Sequence, residues 1–233
     1  MKKLIVSVWL YPAFIGIFVS CTAAPVTVVE SPPVKITQNA AFTGAASSGQ
    51  VPERPEKPQV PEHIMGKGLA AAKDLSGFLL SVNPGAETSF VEGLALIYAE
   101  EADMEGVNHD VAFAQMCLET GYLRYGNLVT PDMNNFCGLG AIGPGQNGES
   151  FPTPRLGVRA HIQHLKAYAT DAPIKQELVD PRYRYVRLGS SPTIRGLAGT
   201  WAADRSYAEK LHNILGRLYS RSFGSQDSPP QSK

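Results

Sequence analysis

Between residues 64 and 223 the apolar positions recur mostly every three or four residues, the period of helices that bury one face. The first such run spans residues 69–82 and stops before Asn83-Pro84-Gly85, a triplet that breaks helical geometry. Ser89-Phe90-Val91-Glu92 has capping-box spacing and predicts a second helix with Val91, Leu94, Ala95 and Tyr98 facing inward. Asn108 is placed to cap a third helix, with Val111, Ala114, Gln115 and Leu118 on one face, Phe113 and Cys117 beside them, and Gly121 as its stop. The period is then lost over residues 123–154, which contain Pro, Asn and six glycines and predict a long irregular excursion with a short hairpin. So long a loop in a compact domain is usually functional or disordered, and the apolar NNFCGLG inside it favours function. Helical spacing returns over 155–170, around 193–198 and over 206–221.

The flanks have a different texture. Lys2 and Lys3 precede an apolar stretch over residues 4–19, too short for a stable span and suited to the core of a signal peptide. Phe18-Val19-Ser20-Cys21 resembles the lipobox of bacterial lipoproteins, which implies that Cys21 is lipidated and becomes the mature N-terminus; an uncleaved anchor, or plain secretion with a free Cys21, is the other reading. Residues 22–62, with VPERPEKPQVPEH, are rich in Pro, Ser, Thr, Ala and Gly and form an expected tether. Residues 63–222 are then the folded domain and 223–233 an expected disordered tail. The 21 Lys and Arg balance 21 Asp and Glu, so no basic excess argues for nucleic acid. An exported chain also permits a disulfide between Cys117 and Cys137; two buried thiols are the equal alternative, because sequence does not give their separation.

The predicted third helix ends on Glu119, inside QMCLETGYLRYGN. Unpaired carbonyls in a last helical turn disfavour a carboxylate, and Met116, Cys117 and Leu118 add desolvation, so both effects push its pKa upward. A carboxyl that keeps its proton near neutral pH is what protonation of a glycosidic leaving oxygen requires.

The run Val111 to Gly121, then Asn134-Asn135-Phe136-Cys137-Gly138-Leu139-Gly140, Gly157-Val158-Arg159-Ala160-His161, Tyr168-Ala169 and Trp201-Ala202-Ala203-Asp204-Arg205-Ser206-Tyr207-Ala208-Glu209-Lys210-Leu211 resemble, in order, the glucosaminidase domain of peptidoglycan hydrolases, glycoside hydrolase family 73. Two positions depart from the family pattern: Cys137 stands for the usual Phe, and Trp201 for the first Tyr of the late block. The resemblance implies a mainly α, lysozyme-like domain and Glu119 as general acid. It implies Asn134, Asn135 and Phe136 at the cleft floor, with Trp201 and Tyr207 lining the sugar groove. Trp201 offers only an indole N–H, so Tyr207 or Tyr122 is expected to supply the hydroxyl. A second carboxylate, about 5 Å away for retention or about 6.5–9.5 Å for inversion, is sought in the long loop at Asp132 or, first, Glu149; assistance by the substrate's N-acetyl group would replace either.

His161 and His164 stand three apart on one helix, but no HExxH pattern or cysteine cluster supports a metal there. Arg182, Arg184 and Arg187, interleaved with Tyr183 and Tyr185, form either a solvated connector or a binding run for glycan or peptide carboxylates. Gly138-Leu139-Gly140 lacks a phosphate-loop continuation. The expectation is a cofactor-free, monomeric, membrane-anchored lipoprotein at the periplasm or cell surface, an endo-β-N-acetylglucosaminidase acting on peptidoglycan strands. A lytic transglycosylase of the same fold is one rival, and a non-catalytic wall-binding or adhesion lipoprotein another.

Overall fold

In a computed structural model that describes residues 58–126, 128–143 and 145–224, five α-helices form among the described residues: α1 (Ala72–Val82), α2 (Thr88–Glu105), α3 (His109–Glu119), α4 (Pro154–Ala169) and α5 (Tyr207–Phe223). The fold is mainly α and consistent with a lysozyme-like domain. The expected leader, Cys21 and almost all of the tether lie outside the described residues, as does the tail beyond Gly224. Among the described residues no helix is long and apolar enough to cross a membrane.

α3 is the axis of the arrangement. Val111 to Cys117 are all buried, so this helix has no solvent stripe, and only its ends reach water. Leu75 and Leu79 of α1, Leu94 and Tyr98 of α2, Ile162 and Leu165 of α4, and Leu211 and Leu215 of α5 join it in one core. Each large apolar side chain so buried contributes about 1.5–3 kcal/mol. Buried Asp110 accepts from the backbone N–H of Leu69 at 2.7 Å and from the Tyr219 hydroxyl at 2.8 Å, tying the entering chain and α5 to the start of α3.

Helix starts follow capping chemistry. Asn108 Oδ1 accepts from the N–H groups of Asp110 and Val111, as expected. α2 begins earlier than the Ser89 box predicts, because the Glu87 carboxylate accepts from the N–H groups of Ser89 and Phe90 and satisfies the first turn itself. Residues 193–198 make only a short 3-10 turn, Arg195–Leu197. The excursion holds a hairpin, β1 (Ala141–Gly143) paired antiparallel with β2 (Gln146–Asn147). It docks on α4 at Gly157, where a Cβ would stand 1.8 Å from the Asn134 carbonyl oxygen; only glycine admits this approach. Cys117 and Cys137 are both free and buried, in separate apolar clusters.

Candidate active site

Because α3 is buried along its length, a polar side chain on it meets solvent only where the helix stops. Glu119 is its last residue. Beyond it, Thr120 Oγ1 accepts from Leu123 N–H at 2.9 Å, and Gly121, Tyr122 and Leu123 take φ of 57°, 59° and 63°. This left-handed run costs about 1–3 kcal/mol at each non-glycine residue. It turns the chain away and leaves the acid on the wall of a cleft of about 430 Å³, lined also by Asn135, Cys137, Gly138, Trp201, Asp204 and Tyr207.

Two donors converge on one oxygen of the acid. Trp201 Nε1–H donates to Glu119 Oε1 at 3.0 Å, and the Tyr207 hydroxyl donates to the same atom at 2.5 Å. With Oε1 occupied as an acceptor, a proton on the carboxyl belongs on Oε2, which faces Gly138, whose Cβ, were there one, would lie 3.9 Å away. Burial pushes the Glu119 pKa up, and the Tyr207 and Trp201 hydrogen bonds oppose it without cancelling it. The expected direction of the shift is therefore present, with its cause in desolvation.

Tyr207 is held from behind. Gln115 Nε2 donates to its hydroxyl at 2.9 Å, which leaves Gln115 Oε1 to accept from His161 Nε2 at 2.9 Å. That fixes the proton of His161 on Nε2, so Nδ1 accepts from the Tyr98 hydroxyl at 2.9 Å. Gln115, His161 and Tyr98 are all 0% exposed, and burial depresses the His161 pKa to about 3, so the ring is neutral. In the file Tyr98, His161, Gln115, Tyr207, Glu119 each residue thus donates to the next, so every donor points toward the acid. Both nitrogens of His161 are spent in this file, and His164 Nδ1 bonds Asp180 Oδ2 at 2.7 Å, so the pair expected from spacing faces protein partners.

The remaining residues singled out by sequence divide into two groups. Asn135 lines the cleft; its side chain bonds the backbone of Leu139 and Glu149 through Nδ2 and of Cys137 and Leu139 through Oδ1, folding the loop about itself. Trp201 and Tyr207 also line it. Phe136 does not: at 1% exposure it belongs to the core and has no face to offer a sugar. Asn134 sits at φ 49° with Nδ2 donating to the Phe151 carbonyl, so it shapes the docking onto α4 rather than the cleft surface. Tyr122 turns away to pack edge-on against Phe78 and to accept from Arg217 at 3.2 Å. Glu149 rests against Gly140, and neither it nor Asp132 is among the residues lining the cleft.

Sequence reasoning missed the anchoring part of Asp204. It lines the cleft, bonds Lys210 Nζ at 2.6 Å and accepts from Ser206, and these contacts hold its pKa at about 2. Its carbonyl accepts from Tyr207 N–H, so it seats the start of α5 and with it the Tyr207 ring. The file behind Tyr207 left one trace in the sequence: Gln115 and His161 are polar residues at core-facing helical positions.

Residues 95–220 match the glucosaminidase family model, described as mannosyl-glycoprotein endo-beta-N-acetylglucosaminidase. The chain is also 43% identical over 155 residues to an uncharacterized protein of Borreliella burgdorferi, an alignment covering 66% of this chain and 76% of that one.

Proposed function

Since this chain belongs to the glucosaminidase family, and with it to the glycosidases that degrade peptidoglycan, we propose that it cleaves the β-1,4 bond on the reducing side of N-acetylglucosamine, with Glu119 as general acid. The observation that carries the reading is the state of Glu119: burial raises its pKa, while two donors on Oε1 leave Oε2 to carry the proton toward the cleft. As the glycosidic bond breaks, that proton passes to the leaving oxygen and the carboxylate that forms is met at once by Trp201 and Tyr207. Hydrogen bonds to a charged acceptor are worth about 1.5–3 kcal/mol each, more than to a neutral one, so the pair favours the transition state over the resting acid. Trp201 adds an aromatic face for the C–H surface of a sugar.

For a second carboxylate we propose Glu149, which stands beside the hairpin and outside the cleft lining itself. Glu149 lies against Gly140, next to Ala141 of the cleft lining. Glu149→Gln is expected to lower kcat; unchanged turnover removes Glu149 and leaves the substrate's acetamido group as the nucleophile. Residues 1–21 are proposed to export the chain and anchor it through lipidated Cys21, so that the domain works at the wall side of a membrane. Mass spectrometry of digested peptidoglycan after borohydride reduction tests the bond. Reduced N-acetylglucosamine ends are expected. Anhydro-muramic ends would assign a lytic transglycosylase instead, and no new ends at all a wall-binding protein.

A further inference from the structure

A second cavity, of about 210 Å³, adjoins the acid's cleft: Cys137, Gly138, Ala141 and Trp201 line both. Its remaining wall includes His164, Tyr168, Arg182 and Tyr185. The Arg182 guanidinium lies 4.7 Å from the centroid of the Tyr185 ring, and its backbone N–H donates to Asp180 Oδ1 at 2.8 Å. Asp180 is buried and spends its other oxygen on His164. Among the described residues, no carboxylate pairs with the Arg182 guanidinium. A planar cation therefore lies against an aromatic ring, which Arg184 also approaches at 4.8 Å, at the wall of a cavity, with its donor fork left over for a ligand. Such a fork matches a carboxylate.

This inference rests on the proposed cleavage after N-acetylglucosamine. In a strand where N-acetylglucosamine and muramyl sugars alternate, a glucosamine unit at the acid has a muramyl unit on both sides. Whichever way the strand runs, the compartment next to the acid receives a muramyl sugar. That sugar carries at O3 a lactyl group that ends in a free carboxylate or in a peptide stem with carboxylates of its own. We propose that the cavity lined by Arg182, Tyr185 and Tyr168 is the subsite for this carboxylate-bearing substituent, with Arg182 as its salt-bridging partner. It gives the enzyme a means of telling wall glycan from a neutral polymer of N-acetylglucosamine.

The test is the ratio of KM values on neutral and charged strands of one length. Amidase-stripped strands carry free lactyl carboxylates, their methyl esters carry none, and peptide-bearing strands carry only stem carboxylates. The wild-type protein is expected to show a KM roughly tenfold lower on charged than on esterified strands, as one charge-assisted contact supplies. A preference on stripped strands identifies the lactyl group as the source, and one confined to peptide-bearing strands the stem. Arg182→Gln should bring the ratio to one and Arg182→Lys to an intermediate value, while Arg187→Gln, which removes the same charge outside the cavity, keeps it. A wild-type ratio of one on both stripped and peptide-bearing strands overturns the subsite, as does a ratio that survives Arg182→Gln or is equally lost with Arg187→Gln. Wild-type protein that releases no ends from any strand overturns the parent reading as well.

Discussion

The chemistry at Glu119 turns on which of its two oxygens is free. Trp201 and Tyr207 both address Oε1, and they bear on the acid's pKa in the direction opposite to burial. Tyr207→Phe removes one of these opposing contacts, so the Glu119 pKa should rise further. The alkaline limb of the kcat profile, where a general acid loses its proton, is then expected at higher pH than in wild type. Trp201→Phe should move the limb in the same direction; a limb that stays in place in both variants would mean that another group titrates there. Much of this was legible in the sequence: the buried helix, its stop, and the desolvated acid at its end follow from residues 111–121. The loss of a phenol at Trp201 was legible too, but not its replacement. Tyr207 and Tyr122 were indistinguishable until the left-handed run after Thr120 turned the Tyr122 ring onto Phe78.

At the scale of elements, α3 and α4 meet through polar groups that leave no spare partner. Gln115→Leu would strand the buried Nε2–H of His161 and cost about 1–3 kcal/mol, lowering the thermal midpoint by roughly 2–4 °C per kcal/mol. His161 also sets an acid dependence. Its folded pKa, about 3, lies below its ordinary 6.5, so its contribution to stability is present above pH 6.5 and is lost as pH falls toward 3. Glu101 and Glu105, held below the ordinary 4.5, add to the loss only under that value, so the decline between pH 6.5 and 4.5 is expected to flatten in His161→Gln. Glu119, shifted upward, works in the other direction: its contribution is present below pH 4.5 and lost as pH rises through its raised value. The α2–α4 seam is bound by the buried pair of Lys166 Nζ and Glu105 at 2.7 Å. Lys166→Met leaves that carboxylate without its charge partner and is expected to cost about 3–5 kcal/mol in chemical denaturation. Glu105→Gln is expected to cost a comparable amount: an amide oxygen in the place of Oε1 still accepts from the N–H groups of Lys175 and Gln176, but the amide NH2 then faces the Lys166 ammonium. Helical periodicity could not reveal these seams, since a buried lysine and an exposed one occupy the same place in a pattern of polar and apolar letters.

At the scale of the whole molecule, we propose a division of labour along the chain. Among the described residues the core runs from Ile64 to Tyr219, and Glu62 already bonds Ile194 through the backbone, so residues 58–224 expressed alone are expected to fold and to melt at the same temperature as the full chain. Residues 22–62 would then supply reach, at about 3 Å per residue when extended, from a lipid on Cys21. Cys21→Ala is expected to release the protein from membranes while leaving its glycan cleavage intact; equal retention would remove the lipid from the account. The order of the blocks disclosed the domain and its long excursion in advance. It did not disclose that Phe136 serves the core while Asn135 serves the cleft, because adjacent residues in an irregular loop carry no period to separate them. The central claim, proton donation by Glu119, is tested most directly on purified peptidoglycan by counting new reducing ends released by wild type and by Glu119→Gln, with binding followed in parallel. The isosteric amide keeps the acceptor for Trp201 and Tyr207 but has no proton to give. Release is expected to fall about 10²–10⁴-fold while binding persists; equal release from the two proteins would contradict the account.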